Sequence, residues 1–287
     1  MQYFDQVKLT PLMALTTGLP EIMIGLIDGP VVIAHQDFSG SNLRELQENG
    51  GTCIHGGNLA CQHGTFVAGI LAANRNSLTP GISPGCTLLI RPIFADAILP
   101  TNVLPTATPE ELAKAIQESI DAGARVLNIS AAIARPSTRS ESALEESLNM
   151  AARRGVLVVN AAGNQGMLGG TAITRHPWVI PVIASNAQGQ PLNLSNIGNS
   201  IGKKGLAAPG DKITSLGIEN RTYSSSGTSA AAPFVTGTIA LLWSLFPQRT
   251  AAQIKLAILR ASSIRRNSVV PPLLDAWTAY QYLSTTY

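Results

Sequence analysis

Four side chains in this sequence are of types that together could perform nucleophilic catalysis. Asp28 follows the apolar run IMIGLI, His63 opens HGTFVAGILAAN, Asn164 closes VLVVNAAGN, and Ser229 lies within SGTSAAAPFVTG. A serine hydroxyl is a weak nucleophile until a base takes its proton, and an imidazole works as that base best when a carboxylate orients it. An amide donor would then hold the oxyanion that develops on the attacked carbonyl. Each residue taken alone has a plainer reading. Asp28-Gly29 is a turn pair, His63 is a helix-start histidine, and Asn164 is a turn asparagine. Ser229 follows Gly227-Thr228 ahead of an apolar run, as an ordinary helix N-cap would.

These residues need a scaffold that brings distant positions together, and the sequence supplies one. Apolar runs suited to strands buried on both faces occur at 22–27, 87–94, 125–129, 155–160 and 178–185. Helical patterns lie between them at 63–74, 109–122 and 140–154, with Thr108 as N-cap of the second and Gly155 ending the third. A further helix spans 230–246, and 251–261 and 272–283 read as two outer helices. Strand–helix alternation of this kind predicts an α/β fold, a mostly parallel sheet with helices on both faces. Ligands of such sheets sit beyond the carboxyl ends of the strands. A serine at the start of a buried helix also meets free N–H groups and the positive end of the helix dipole, which favour an anion.

Composition narrows the classes. The chain has 287 residues, 45% apolar and only 13% charged, enough for a large core. No repeat or linker divides it, so one domain over 1–287 is expected. Net charge is +3, but the basic pairs Arg153-Arg154, Lys203-Lys204 and Arg265-Arg266 are scattered, which speaks against nucleic-acid binding. The apolar stretches read as too short and interrupted for a membrane span. The N-terminus lacks a signal-like pattern, and a cytoplasmic location is expected. Of the three cysteines, Cys53 and Cys61 could pair if oxidised, and Cys86 reads as a small buried residue. Zinc spacing is absent apart from a weak grouping of His55 with Cys53 and Cys61.

The stretches IGLIDGP, HGTFVAGI, VLNIS, NAAGN, GLAAPG and SGTSAAAPFVTG together resemble subtilisin-like serine proteases over nearly the whole chain. The chain order Asp, His, Ser is that of the family. The resemblance implies a subtilisin-like three-layer fold and an endopeptidase acting through an acyl-enzyme. It assigns Asp28 as triad acid, His63 as general base, Ser229 as nucleophile and Asn164 as oxyanion donor. Ser130, Ala131 and Ala132 would line the edge that pairs with the substrate backbone, with a second edge near 94–99. It implies no catalytic cofactor. Asp37 and Asn76 match two oxygen ligands of a structural calcium site, although Arg75 beside them opposes a dication and the six to eight oxygens such an ion needs cannot be assembled. No metal is therefore assigned.

Several positions depart from the family. Asp28 is followed by Gly29-Pro30, Phe66 stands where a polar histidine is usual, and Ala131-Ala132-Ile133 replaces Leu-Gly-Gly. Added side chains there would reshape the cleft. A narrower resemblance, carried by DGPVVIAHQDF, PGCTLLIRPIFAD and GTSAAAP, is to the proteases of cyanobactin pathways, and implies a precursor peptide as substrate. A broad intracellular protease and a silent peptide-binding subtilase fold are the other readings.

Overall fold

A computed structural model describes residues 2–46, 53, 59–94, 107–130, 141–261 and 268–285. The strands are β1 (Met23–Asp28), β2 (Asn42–Glu45), β3 (Thr87–Pro92), β4 (Val126–Ile129), β5 (Leu157–Ala161), β6 (Val179–Ser185), β7 (Leu206–Pro209), β8 (Ile213–Leu216) and β9 (Thr222–Ser225). The helices are α1 (Gln2–Gln6), α2 (Thr10–Leu15), α3 (Leu59–Ala72), α4 (Pro109–Asp121), α5 (Ser142–Arg154), α6 (Ala172–Arg175), α7 (Asn199–Lys204), α8 (Thr228–Leu245), α9 (Ala251–Arg260) and α10 (Ala276–Thr285).

Seven strands form one parallel sheet in the order β2-β3-β1-β4-β5-β6-β7. β8 and β9 pair antiparallel as a separate ribbon. The expected α/β architecture is therefore present, and its two faces follow from side-chain alternation along the strands. Ile24 and Leu26 of β1 and Val126 of β4 enter one core with α3 and α8, including Phe66, Phe234 and Trp243. Ile27 of β1 and Leu127 and Ile129 of β4 enter the other, with Leu112 and Ile116 of α4 and Leu144 and Leu148 of α5.

The strand order makes β1 and β4 neighbours, and the chain leaves β1 toward one edge of the sheet and β4 toward the other. In open α/β sheets this is where a crevice opens beyond the carboxyl ends. Asp28, the last residue of β1, stands at that point.

Local signals explain several boundaries. Thr108 accepts from Glu111 N, and Glu111 returns a bond to Thr108 N, so α4 opens on a capping box. Gly155 ends α5 in the left-handed region at φ 68°. Other boundaries differ from expectation. α3 starts at Leu59, so His63 lies in its second turn and does not open the helix. α10 starts at Ala276, because Pro271 and Pro272 hold the preceding chain extended. That stretch bonds to β7 instead: Ala207 N donates to Pro272 O at 2.8 Å and Leu274 N to Ala207 O at 2.8 Å.

Helix α8 corrects the reading of the apolar stretches as too short for a membrane. Its 18 residues are apolar enough to span one, but 89% of it is buried inside the protein. It is the core helix, packed on β4 to β7 and against α3. Pro233 sits in its second turn.

Candidate active site

The site is built on the turn after β1. Asp28 is fully buried, and its Oδ1 accepts from Gly29 N at 2.6 Å. The first turns of α3 press onto this turn. A Cβ on Gly29 would lie 2.1 Å from the Ala60 carbonyl, and one on Gly64 would lie 2.3 Å from Pro30 O. Only glycine at both positions permits this approach. The reward is contact: His63 Nδ1 lies 2.6 Å from Asp28 Oδ1. The Thr65 hydroxyl accepts from Val32 N at 3.0 Å and ties the helix to the chain beyond the turn.

The His63 imidazole is 36% exposed, open to solvent on one side and paired on the other. Burial is the largest single influence on its pKa and lowers it. The Asp28 charge and the hydrogen bond to it act upward and together prevail, so the value is raised above the ordinary 6.5.

Ser229 is the second residue of α8, so its N–H belongs to the first turn, where no intrahelical acceptor exists. The helix is held in register by a buried polar pair two turns on, where Thr236 Oγ1 donates to Asn128 Oδ1 of β4 at 2.8 Å. In this structure Ser229 Oγ donates to the Ser130 carbonyl at 3.2 Å, and no hydrogen bond joins it to His63. Ser130 itself follows β4, and its N–H donates to Ile27 O at 3.2 Å. Ala131 and Ala132, expected on the same edge, lie outside the described residues, as do 95–99 of the second edge.

Asn164 lies past the end of β5 with its amide orientation fixed. Its Oδ1 accepts from Thr228 N at 2.9 Å and from Thr228 Oγ1 at 3.0 Å. This leaves Nδ2 as the free donor. Thr228 Oγ1 also accepts from Gly163 N at 3.2 Å, so one hydroxyl couples the β5 loop to the start of α8. Gly227 precedes it at φ 146°, and a Cβ there would lie 2.9 Å from Asn164 Nδ2. Thr228 was not singled out from the sequence, although it stands beside the serine in every reading of that stretch.

Phe66 does not project into the cleft. It is 1% exposed and meets Tyr223 of β9 edge-on, with centroids 5.8 Å apart. Arg75, beside the candidate calcium loop, donates to the carbonyls of Met13 at 2.7 Å, Thr16 at 3.2 Å and Ile82 at 2.5 Å. Among the described residues no cluster of three or more His, Cys, Asp or Glu side chains could hold a metal. Cys53 and Cys61 form a disulfide, their Cα atoms 5.8 Å apart, while Cys86 is free and buried. His55 lies outside the described residues.

A buried carboxylate paired with a half-open histidine, a serine at a helix start and a locked amide, gathered at one rim of a parallel sheet, are the parts of a subtilase. The family model for the subtilases matches residues 20–279, and the chain belongs to that family. It is 35% identical over 197 residues to a thermostable alkaline protease of Halalkalibacterium halodurans, covering 68% of this chain and 51% of that protein. It is 29% identical over 241 residues to subtilisin DY of Bacillus licheniformis, covering 82% and 81%. The chain thus spans about half the length of the first of these relatives. Among solved structures it superposes on the protease domain of PatA with a TM-score of 0.84 at 31% identity, covering 93% of this chain and 96% of that one. It superposes on the prenylagaramide maturation protease PagA with a TM-score of 0.85 at 29% identity, covering 96% and 98%.

Proposed function

We propose that this chain is a serine endopeptidase that processes a ribosomally made precursor peptide, working as one peptidase unit over 1–287. The observation that carries the reading is the Asp28–His63 contact of 2.6 Å at the carboxyl end of β1. Asp28 keeps the His63 proton on Nδ1, which leaves Nε2 as the base. The Ser229 hydroxyl turns from the Ser130 carbonyl toward that base as substrate arrives, and the freed carbonyl accepts a backbone N–H of the peptide. Ser229 Oγ then attacks the scissile carbonyl while His63 takes its proton. Asn164 Nδ2 and the Ser229 N–H donate to the oxyanion. His63 returns the proton to the leaving amine, and water releases the acyl group.

The precursor class is supported by structural likeness. PatA is the patellamide maturation protease and PagA the prenylagaramide maturation protease, and both superpose over nearly the whole chain. Relative rates on casein and on one precursor peptide test this. Cleavage at one position in the precursor with negligible casein hydrolysis is expected; equal rates on both would favour a broad protease. A silent peptide-binding fold is the alternative from another class. The buried position of Phe66 weakens it, since that ring does not block the serine.

A further inference from the structure

Asn196 has no part in the chemistry above, yet its hydrogen bonds converge on the loop that carries Asn164. It is 3% exposed and lies after β6, far from β5 in sequence. Its N–H donates to Gly163 O at 2.9 Å. Its Nδ2 donates to Ala162 O at 3.1 Å and to Gln165 Oε1 at 2.8 Å. Its Oδ1 accepts from Gln165 N at 3.2 Å and from Met167 N at 3.0 Å. The loop's remaining backbone is tied to the same segment, Gly166 N donating to Leu194 O at 2.8 Å and Ile197 N to Met167 O at 3.0 Å. Gly163, at φ 105°, is shaped for this contact: a Cβ there would sit 2.3 Å from Asn196 Nδ2.

One buried carboxamide thus holds the loop through the Ala162 carbonyl before Asn164 and through Gln165 and Met167 after it. Thr228 holds the Asn164 side chain and, through Gly163 N, one point of the backbone before it, whereas Asn196 holds the backbone on both sides of Asn164. A buried carboxamide with its donors and acceptors engaged is a rigid bracket, because losing any one bond strands a buried polar group. An oxyanion donor must be held to within a fraction of an ångström of its working position. We infer that Asn196 is a positioning residue that sets the place of the Asn164 donor, an inference that rests on the role given to Asn164 above.

A double-mutant cycle separates positioning from general structure. Asn196→Ala should lower kcat about tenfold, below the 10²–10³ expected for losing the donor itself, with KM changed less than about twofold. Affinity for a peptide aldehyde, which forms a tetrahedral adduct on Ser229, should fall in step with kcat/KM, while affinity for an uncleavable peptide should not. In an Asn164→Ala background the same substitution should change kcat by less than about twofold. Asn196→Asp keeps the acceptor toward Gln165 N and Met167 N but turns an oxygen onto Ala162 O and Gln165 Oε1, so it should lose at least as much kcat as Asn196→Ala, with circular dichroism and urea denaturation of both variants showing that they are folded. Equal losses in both backgrounds, or parent kcat and aldehyde affinity in the Asp variant, would overturn the positioning role alone. Parent turnover in Asn164→Ala by itself would overturn the reading of the oxyanion donor, and this inference with it.

Discussion

The Asp28–His63 pair sets how the site responds to pH. Burial lowers the His63 pKa, but the adjacent carboxylate more than reverses this, and the net shift is upward from 6.5. The base must be neutral to act, so the acid limb of the kcat/KM profile should fall above pH 6.5. In Asp28→Asn both upward influences vanish and only burial remains. Residual activity should drop by about 10⁴ through loss of the correct tautomer, and its acid limb should move to lower pH. A limb that stays in place in Asp28→Asn would show that His63 is not the titrating base. Linkage gives a companion effect of definite sign. A histidine whose folded pKa is raised contributes stability below its unfolded value, and that contribution is lost as pH rises through the folded value. Asp28, His63, Asn164 and Ser229 were singled out in the sequence by their places beside apolar runs and by the family resemblance those runs carry, although His63 lies in the second turn of α3 and does not open it. Thr228 and Asn196 were not, because they act through backbone and amide contacts that no local pattern announces.

At the scale of elements, the site depends on α3 lying hard against the β1 turn. Gly64 makes this possible, since the nearest atoms to a Cβ there are backbone carbonyls that cannot move aside singly. Gly64→Ala should therefore cost about 1–3 kcal/mol of stability as an overpacked contact and should separate His63 from Asp28. Urea denaturation and turnover measured together check this; parent stability with parent kcat would contradict the packing argument. The continuous apolar runs of β1 and β4, the amphipathic pattern of α4 and the apolar stretch of α8 were readable in advance. Edge strand β2, with its partly exposed Asn-Leu-Arg-Glu pattern, and the exposed ribbon strand β9 carry too few apolar residues to announce themselves. The first turn of α3, Leu59–Gln62, follows a glycine-rich stretch and reads as loop until the structure shows it wedged on Gly29. The edge of β7 captures 272–274 in a bridge that shortens the last helix, a tertiary contact no local signal could reveal.

For the molecule as a whole, covalent and redox chemistry distinguish the three cysteines. Cys53 and Cys61 are bonded, whereas the Cys86 thiol is buried and burial pushes its pKa up to about 11. Air-oxidised native protein should show no thiol reactive to a disulfide reagent, and denatured protein should show one. A value of three after denaturation without reductant would mean that the Cys53–Cys61 bond does not form. A disulfide is characteristic of oxidising compartments, so a cytoplasmic home would keep this pair reduced, and thiol trapping in intact cells distinguishes the two.

Activation of the Ser229 hydroxyl by His63 and Asp28 is open to chemical test. A fluorophosphonate probe followed by intact-mass and peptide analysis tests it most directly. One adduct on Ser229 is predicted in the parent, with none in Ser229→Ala and slow formation in His63→Ala. Absence of labelling in folded parent protein, or an adduct on a different residue, would contradict the account.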